Sequence, residues 1–161
     1  MPGSYEPFPT SLVWLHYLSL FTSITIAVTS LFDYGTLSFY MNPITGLLTI
    51  FFHVPLIFLA HNRPGTKGMI SIEAAVLACL LSLGWLACFI VMVLISKGSL
   101  GTVDPFGLNE TISTYAVSIT QRLQFIGTPL EFGLLGDIAI RSTWARRAAF
   151  YDDCEEKVYT P

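Results

Sequence analysis

The chain has 161 residues, of which 53% are hydrophobic and only 12% charged, with a mean hydropathy of +0.63. That balance excludes a soluble globule, whose surface this little charge would not cover, and points to a lipid bilayer. The formal net charge of -3 owes much to a terminal acidic cluster, Asp152, Asp153, Glu155 and Glu156, so it describes no field that would draw nucleic acid.

A hydrocarbon core about 30 Å thick takes roughly 20 helical residues to cross. In chain order, apolar runs of that size predict spans over about residues 12–32, 43–60, 70–96 and 120–141. The first run follows a start with no basic segment and is long enough to stay in the membrane, so it is expected to act as the insertion signal rather than be cleaved. It is rich in hydroxyls: Ser19, Thr22, Ser23, Thr25, Thr29 and Ser30. The second carries His53 and Pro55, and the third holds no charge from Ala74 to Ser96. The fourth is interrupted by Gln124, Pro129, Glu131 and Asp137. Short joins leave no room for a separate soluble domain, so one membrane domain is expected, with a short cytoplasmic tail from residue 142 to 161.

Orientation follows from the basic residues, which are retained near the cytoplasmic ends of spans. Arg63 and Lys67 lie in the second join, and Arg141, Arg146, Arg147 and Lys157 follow the fourth span, while Lys97 and Arg122 fall on the opposite side. The expected fold is therefore all-α: an integral membrane four-helix bundle, antiparallel and up-down, with both termini cytoplasmic. Asn109-Glu110-Thr111 is a glycosylation sequon in the third join, the face on which such a sequon is usable, which makes Asn109 a candidate site.

Glu131 is the residue that most needs explanation. An ionisable group deep in hydrocarbon costs about 2.5 to 3.5 kcal/mol even on insertion scales, and persists with a partner, a cavity or a task. The Leu, Ile and Phe residues of span four contribute about 3 to 5 kcal/mol of favourable insertion, most of which Glu131 offsets. The span should thus depend on its neighbours, with Glu131 facing the bundle interior. Counting at 1.5 Å per residue from the outer ends of spans two and four puts His53 and Glu131 at nearly equal depth, which allows a hydrogen bond between them near the midplane. It reads either as a structural clamp, the plainer role because interhelical hydrogen bonds fix which helix packs on which, or as a proton or ligand site.

Nearer the inner boundary, His16, Glu73, Asp137 and Arg141 fall within about a turn of the predicted interface, and a solvated polar ring is expected there, with Asp137 and Arg141 paired at i, i+4 spacing. Ala74, Ala78 and Ser82 form a small-residue stripe that lets helices approach, within the bundle or in a homo- or hetero-oligomer. Cys79 and Cys88 read as buried small hydrophobes, and Cys154 as a candidate for acylation or an inert thiol. The chain contains no G-x-S-x-G, H-E-x-x-H or phosphate-cradling glycine loop, and its three histidines are not spaced as a metal set. No enzyme activity, cofactor or metal is expected, nor a nucleic-acid partner or an evident small-molecule substrate; the lipid bilayer is the expected partner.

The layout lacks the Cys-Cys-Gly of tetraspanins and the paired loop cysteines of claudins. With inside termini, a short first outer loop, and a last span reading Arg122-Leu123-Gln124-Phe125 and then Leu130-Glu131-Phe132-Gly133-Leu134-Leu135 before a basic flank, it resembles the MARVEL-type four-span membrane proteins, in particular the small fungal ones, over about residues 10 to 147. The resemblance implies a non-enzymatic role in membrane organisation, trafficking or scaffolding, at the plasma membrane or in the endomembrane system. The rival expectation is a small proton- or cation-coupled transporter or channel subunit that uses His53 and Glu131.

Overall fold

The computed structural model describes residues 10–32, 38, 40–62, 71–96 and 114–159. These residues are almost wholly helical: α1 (Thr10–Phe32), α2 (Met41–Asn62), α3 (Ile72–Ser96) and α4 (Thr114–Tyr159). Each contains a stretch long and apolar enough to cross a membrane, which makes the chain a multi-pass membrane protein by length and composition. The candidate sites at Asn109 and at the basic residues Arg63, Lys67 and Lys97 lie outside the described residues. Cys154 falls within α4, but its side chain lies outside the description.

Local chemistry sets the helix starts. Ser71 Oγ accepts from the Ala74 N–H at 3.1 Å, satisfying a first-turn donor of α3 as an N-cap does. Ser38 Oγ accepts from the Asn42 N–H at 3.2 Å ahead of α2, and Tyr40 turns the chain into that helix with a left-handed φ of 63°. Pro43 sits in the first turn of α2, where its missing N–H is harmless. Pro55 and Pro129 lie inside α2 and α4, as membrane helices tolerate when neighbours surround them. At 1.5 Å per residue the 46 residues of α4 extend for about 69 Å, roughly twice the hydrocarbon thickness. The segment from residue 142, read from the sequence as a tail, continues as helix to Tyr159.

Each helix packs on the next and α4 returns to α1, so the four enclose a common axis; α2 and α3 share the smallest seam. The residues facing that axis recur in alternating steps of four and three. On α1 the buried seam is Leu12, His16, Ser19, Ser23, Ile26, Ser30, and on α4 it is Gln124, Thr128, Glu131, Leu135, Ile138, Ser142. This is the period of side chains that interlock along helices crossing at small angles. What fills the seams inverts a soluble protein. Half or more of the seam positions are polar, while Trp14, Phe21, Phe51, Phe58, Ile126 and Trp144 stand exposed on the outside.

At one end of the bundle, Leu12, Ala78 and Ile138 form an apolar cluster against which Leu56 and Ala60 pack. Toward the other end, Asn42 contacts both Met92 and Gln124. Between them Ile26, Trp85, Cys88 and Leu135 make a second apolar cluster. The interior polar groups are held in the spaces these clusters leave.

Candidate functional site: a buried polar chain across three helices

Three helices each contribute to one hydrogen-bonded chain. The 4-3 step of α1 puts His16 and Ser19 one turn apart on the same seam, α2 supplies His53, and α4 supplies Glu131; all four are at most 1% exposed. His16 Nδ1 lies 2.8 Å from His53 Nδ1, with the two rings edge to face at 81° and their centroids 4.9 Å apart. His53 Nε2 lies 2.7 Å from Ser19 Oγ, and Ser19 Oγ donates to Glu131 Oε1. Phe52 closes over both imidazoles, its ring centroid 6.0 Å from that of His16 and 4.9 Å from that of His53.

Proton counting fixes the roles along the chain. A hydroxyl has one proton and a neutral imidazole has one N–H and one bare nitrogen. With Ser19 donating to Glu131, His53 must donate from Nε2 to Ser19, which leaves His53 Nδ1 to accept from His16 Nδ1. His16 Nε2 is then a bare acceptor. It has no partner among the described residues, and neither does Glu131 Oε2 at the opposite end. A buried polar atom without a partner carries a desolvation penalty of about 1 to 3 kcal/mol, so both ends of the chain are places where a ligand or water gains most.

Further polar contacts tie the remaining helices. The Asn42 amide donates from Nδ2 to Gln124 Oε1 at 2.8 Å and to Met92 Sδ at 3.3 Å, linking α2, α4 and α3. Trp85 donates from Nε1 to Thr49 Oγ1 at 3.0 Å, and the Thr45 hydroxyl meets Cys88 Sγ at 3.4 Å. Ser82 donates to the carbonyl of Phe132 at 2.9 Å. Thr49 in turn donates to the carbonyl of Thr45, so its oxygen is free to receive the indole proton.

Several expected positions are placed differently. His53 and Glu131 both face the axis, but they do not bond directly: the Ser19 hydroxyl stands between them and bonds to each. His16, assigned by its depth to a solvated interfacial ring, is instead 1% exposed and bonded to His53. Depth along a helix is set by residue number, but the direction a side chain points is not, and the phase of α1 turns His16 inward. Glu73 is exposed, in the electrostatic reach of Arg146 on α4. Arg141 donates its one Nε–H to both carboxylate oxygens of Asp137, at 2.9 and 2.8 Å, a shared bond half exposed at the rim. Cys88 is buried, but Cys79 is exposed on the outer face.

No group of three metal-ligating side chains occurs among the described residues. An apolar groove of about 450 Å³ opens between α2 and α3, lined by residues that include Leu48, Phe51, Leu77 and Leu80. Sequence reasoning missed Ser19 as the bridge, and Asn42, Gln124 and Trp85 as interior polar contacts. The signal was present in the 4-3 spacing of Leu12, His16, Ser19, Ser23, Ile26 and Ser30, which selects one stripe from a helix that bears hydroxyls on several sides. Comparison of the chain with protein-family models, with curated proteins and with solved structures gave no match.

Proposed function

We propose that this is a non-enzymatic multi-pass membrane protein that acts in membrane organisation, trafficking or scaffolding, of the MARVEL-like kind its last span resembles. The observation that carries the reading is the inverted polarity of the bundle: its recognition surface is a broad apolar exterior, and its polar groups are spent on holding four helices together. The partners of such a surface are lipid and other membrane spans. The reading includes an up-down antiparallel arrangement with both termini cytoplasmic. Contacts supporting it run in opposite numerical order along neighbouring helices: Ser19 with His53 but Ala27 beside Gly46, and Thr49 with Trp85 but Asn42 with Met92. Proximity labelling from the C-terminal tail in the native cell tests both parts. Membrane-trafficking and cytosol-facing proteins are the expected neighbours, and labelling confined to lumenal proteins would overturn the orientation.

A second reading, a small proton-coupled transporter or channel subunit, is favoured by one observation: the unbroken chain from His16 through His53 and Ser19 to Glu131. Proton flux into vesicles carrying the purified protein distinguishes the two. A scaffold gives none, and a transporter gives flux that Glu131→Gln removes while folding and localisation persist.

A further inference from the structure

We propose that His16, His53, Ser19 and Glu131 form a proton relay whose ligand is a single exchangeable proton, bound and released at the two unpartnered ends of the chain. This rests on the second reading and deepens it by naming the ligand, its two ports and the order of transfer. It requires no net transport, so its failure and the failure of that reading are separable.

Three observations converge on it. First, every member of the chain can both give and receive a proton: a carboxyl, a hydroxyl and two imidazoles, joined at hydrogen-bond distance without a gap. Second, the count of donors and acceptors closes in either direction. With Glu131 ionised, His16 donates to His53, His53 to Ser19 and Ser19 to Glu131. With Glu131 protonated on Oε1, Glu131 donates to Ser19, Ser19 to His53 Nε2, and His53 Nδ1–H to His16 Nδ1, leaving the His16 proton on Nε2. Third, both chains end on atoms that are buried and unpartnered, Glu131 Oε2 and His16 Nε2. A clamp is strongest when all its polar atoms are satisfied, whereas a relay needs terminal atoms whose hydrogen-bonding capacity is unused.

The transfer balances. Starting from protonated Glu131, the Glu131 O–H, Ser19 O–H, His53 Nδ1–H and His16 Nε2–H bonds break. Ser19 O–H, His53 Nε2–H and His16 Nδ1–H bonds form, and a water molecule at His16 takes the fourth proton. Glu131 ends as the carboxylate, both imidazoles end neutral with their tautomers exchanged, and nothing is oxidised or reduced. The same steps run backward, from a water that returns a proton to His16 Nε2, reload the acid and restore both tautomers. No other titratable side chain among the described residues bonds into the chain. On α1 Tyr17 is exposed, and on α2 so is His61. On α3 Glu73 and Cys79 are exposed and Cys88 contacts Thr45, while on α4 Arg122 is exposed and Asp137 is paired with Arg141.

The test is the protonated ring nitrogen of each histidine, read by nitrogen-15 solid-state NMR of the full chain in lipid nanodiscs from about pH 2 to about pH 10, a range that brackets ordinary carboxyl and imidazole titration. His61→Gln removes the exposed third ring from the spectrum. The expected result is one pH step in which His16 and His53 exchange their protonated nitrogens together. Glu131→Gln, which keeps shape but cannot ionise, is expected to abolish the step. Ser19→Ala is expected to uncouple the rings from Glu131, with Ser19→Thr restoring the coupling through its hydroxyl. Rings that keep one tautomer throughout the range overturn the relay, and so does a step that survives Glu131→Gln. If Ser19→Ala does not fold, Glu131→Gln decides alone. A tautomer step without vesicle proton flux keeps the relay and removes the transporter.

Discussion

Ser19 is the smallest member of the buried chain and the one on which its continuity depends. Its oxygen accepts from one helix while its proton goes to another, so truncation leaves two buried polar atoms, His53 Nε2 and Glu131 Oε1, without the partner they now share. Ser19→Ala is therefore expected to destabilise the bundle by about 1 to 3 kcal/mol. Ser23 is equally buried on the same seam, but its hydroxyl donates at 3.0 Å to the carbonyl of Leu20 on its own helix. Ser23→Ala removes only that local bond, whose alternative partner is its own backbone, and is expected to change stability by about 0.5 kcal/mol or less. Reversible unfolding of the two variants in mixed lipid–detergent bicelles compares them directly, and equal losses would show that Ser19 bridges nothing. The contrast also marks what could be read from the amino acids alone. That Glu131 faces inward at about the depth of His53 follows from its charge and a 1.5 Å rise, but whether a hydroxyl on the inner seam bonds across helices or back to its own turn depends on what the facing helices place opposite it, which residue numbers leave open.

At the scale of the helices, the seams are polar yet closely packed, and glycine decides how near two backbones come. A Cβ on Gly46 of α2 would meet the Ala27 Cβ at 3.0 Å and the Ser23 carbonyl oxygen at 3.3 Å, both on α1. Neither atom can swing aside as the end of a flexible side chain could, so α1 and α2 would have to separate. Gly46→Ala is expected to cost about 1 to 3 kcal/mol by overpacking and to lengthen the His53–Ser19 bond that the same seam holds. Gly133 on α4 has nothing within 4 Å of the position its Cβ would take. Gly133→Ala is expected to be neutral or up to about 1 kcal/mol stabilising, since alanine is the better helix former. Thermal unfolding of the pair in one lipid system checks the difference in sign. The number of helices and their approximate ends were legible because long apolar runs bounded by polar joins can do little else in a bilayer. The extension of α4 from residue 142 to Tyr159 was not, because Arg146, Arg147 and the acids after them break the apolar pattern without breaking helix propensity.

For the molecule as a whole, inverted polarity makes orientation the property with the widest consequences, since the exterior offers the bilayer little but apolar surface. The start of α1, the start of α3 and the Ile138 turn of α4 meet in one apolar cluster, so they share an end of the bundle. Arg141, Arg146 and Arg147 are exposed just beyond Ile138 on that side, while Arg122 lies exposed toward the Asn42–Gln124 side. Three basic residues against one across the described spans, with Arg63 and Lys67 falling in the join between α2 and α3, favour the cytosol for the Leu12–Ala78–Ile138 end. Epitope tags at the N-terminus and after Pro161 are accordingly expected to be stained once the plasma membrane alone is permeabilised. A tag inserted in the join between α3 and α4 is expected to stay hidden if that face is lumenal, or to be stained on intact cells if it is extracellular. Moving positive charge tests the cause as well as the outcome. Neutralising Arg141, Arg146 and Arg147 together, with Lys pairs added in the α3–α4 join, is expected to yield a population with inverted or frustrated topology. If the tags keep their original sides, basic charge is not what orients this bundle, and its insertion must be set by the first span instead.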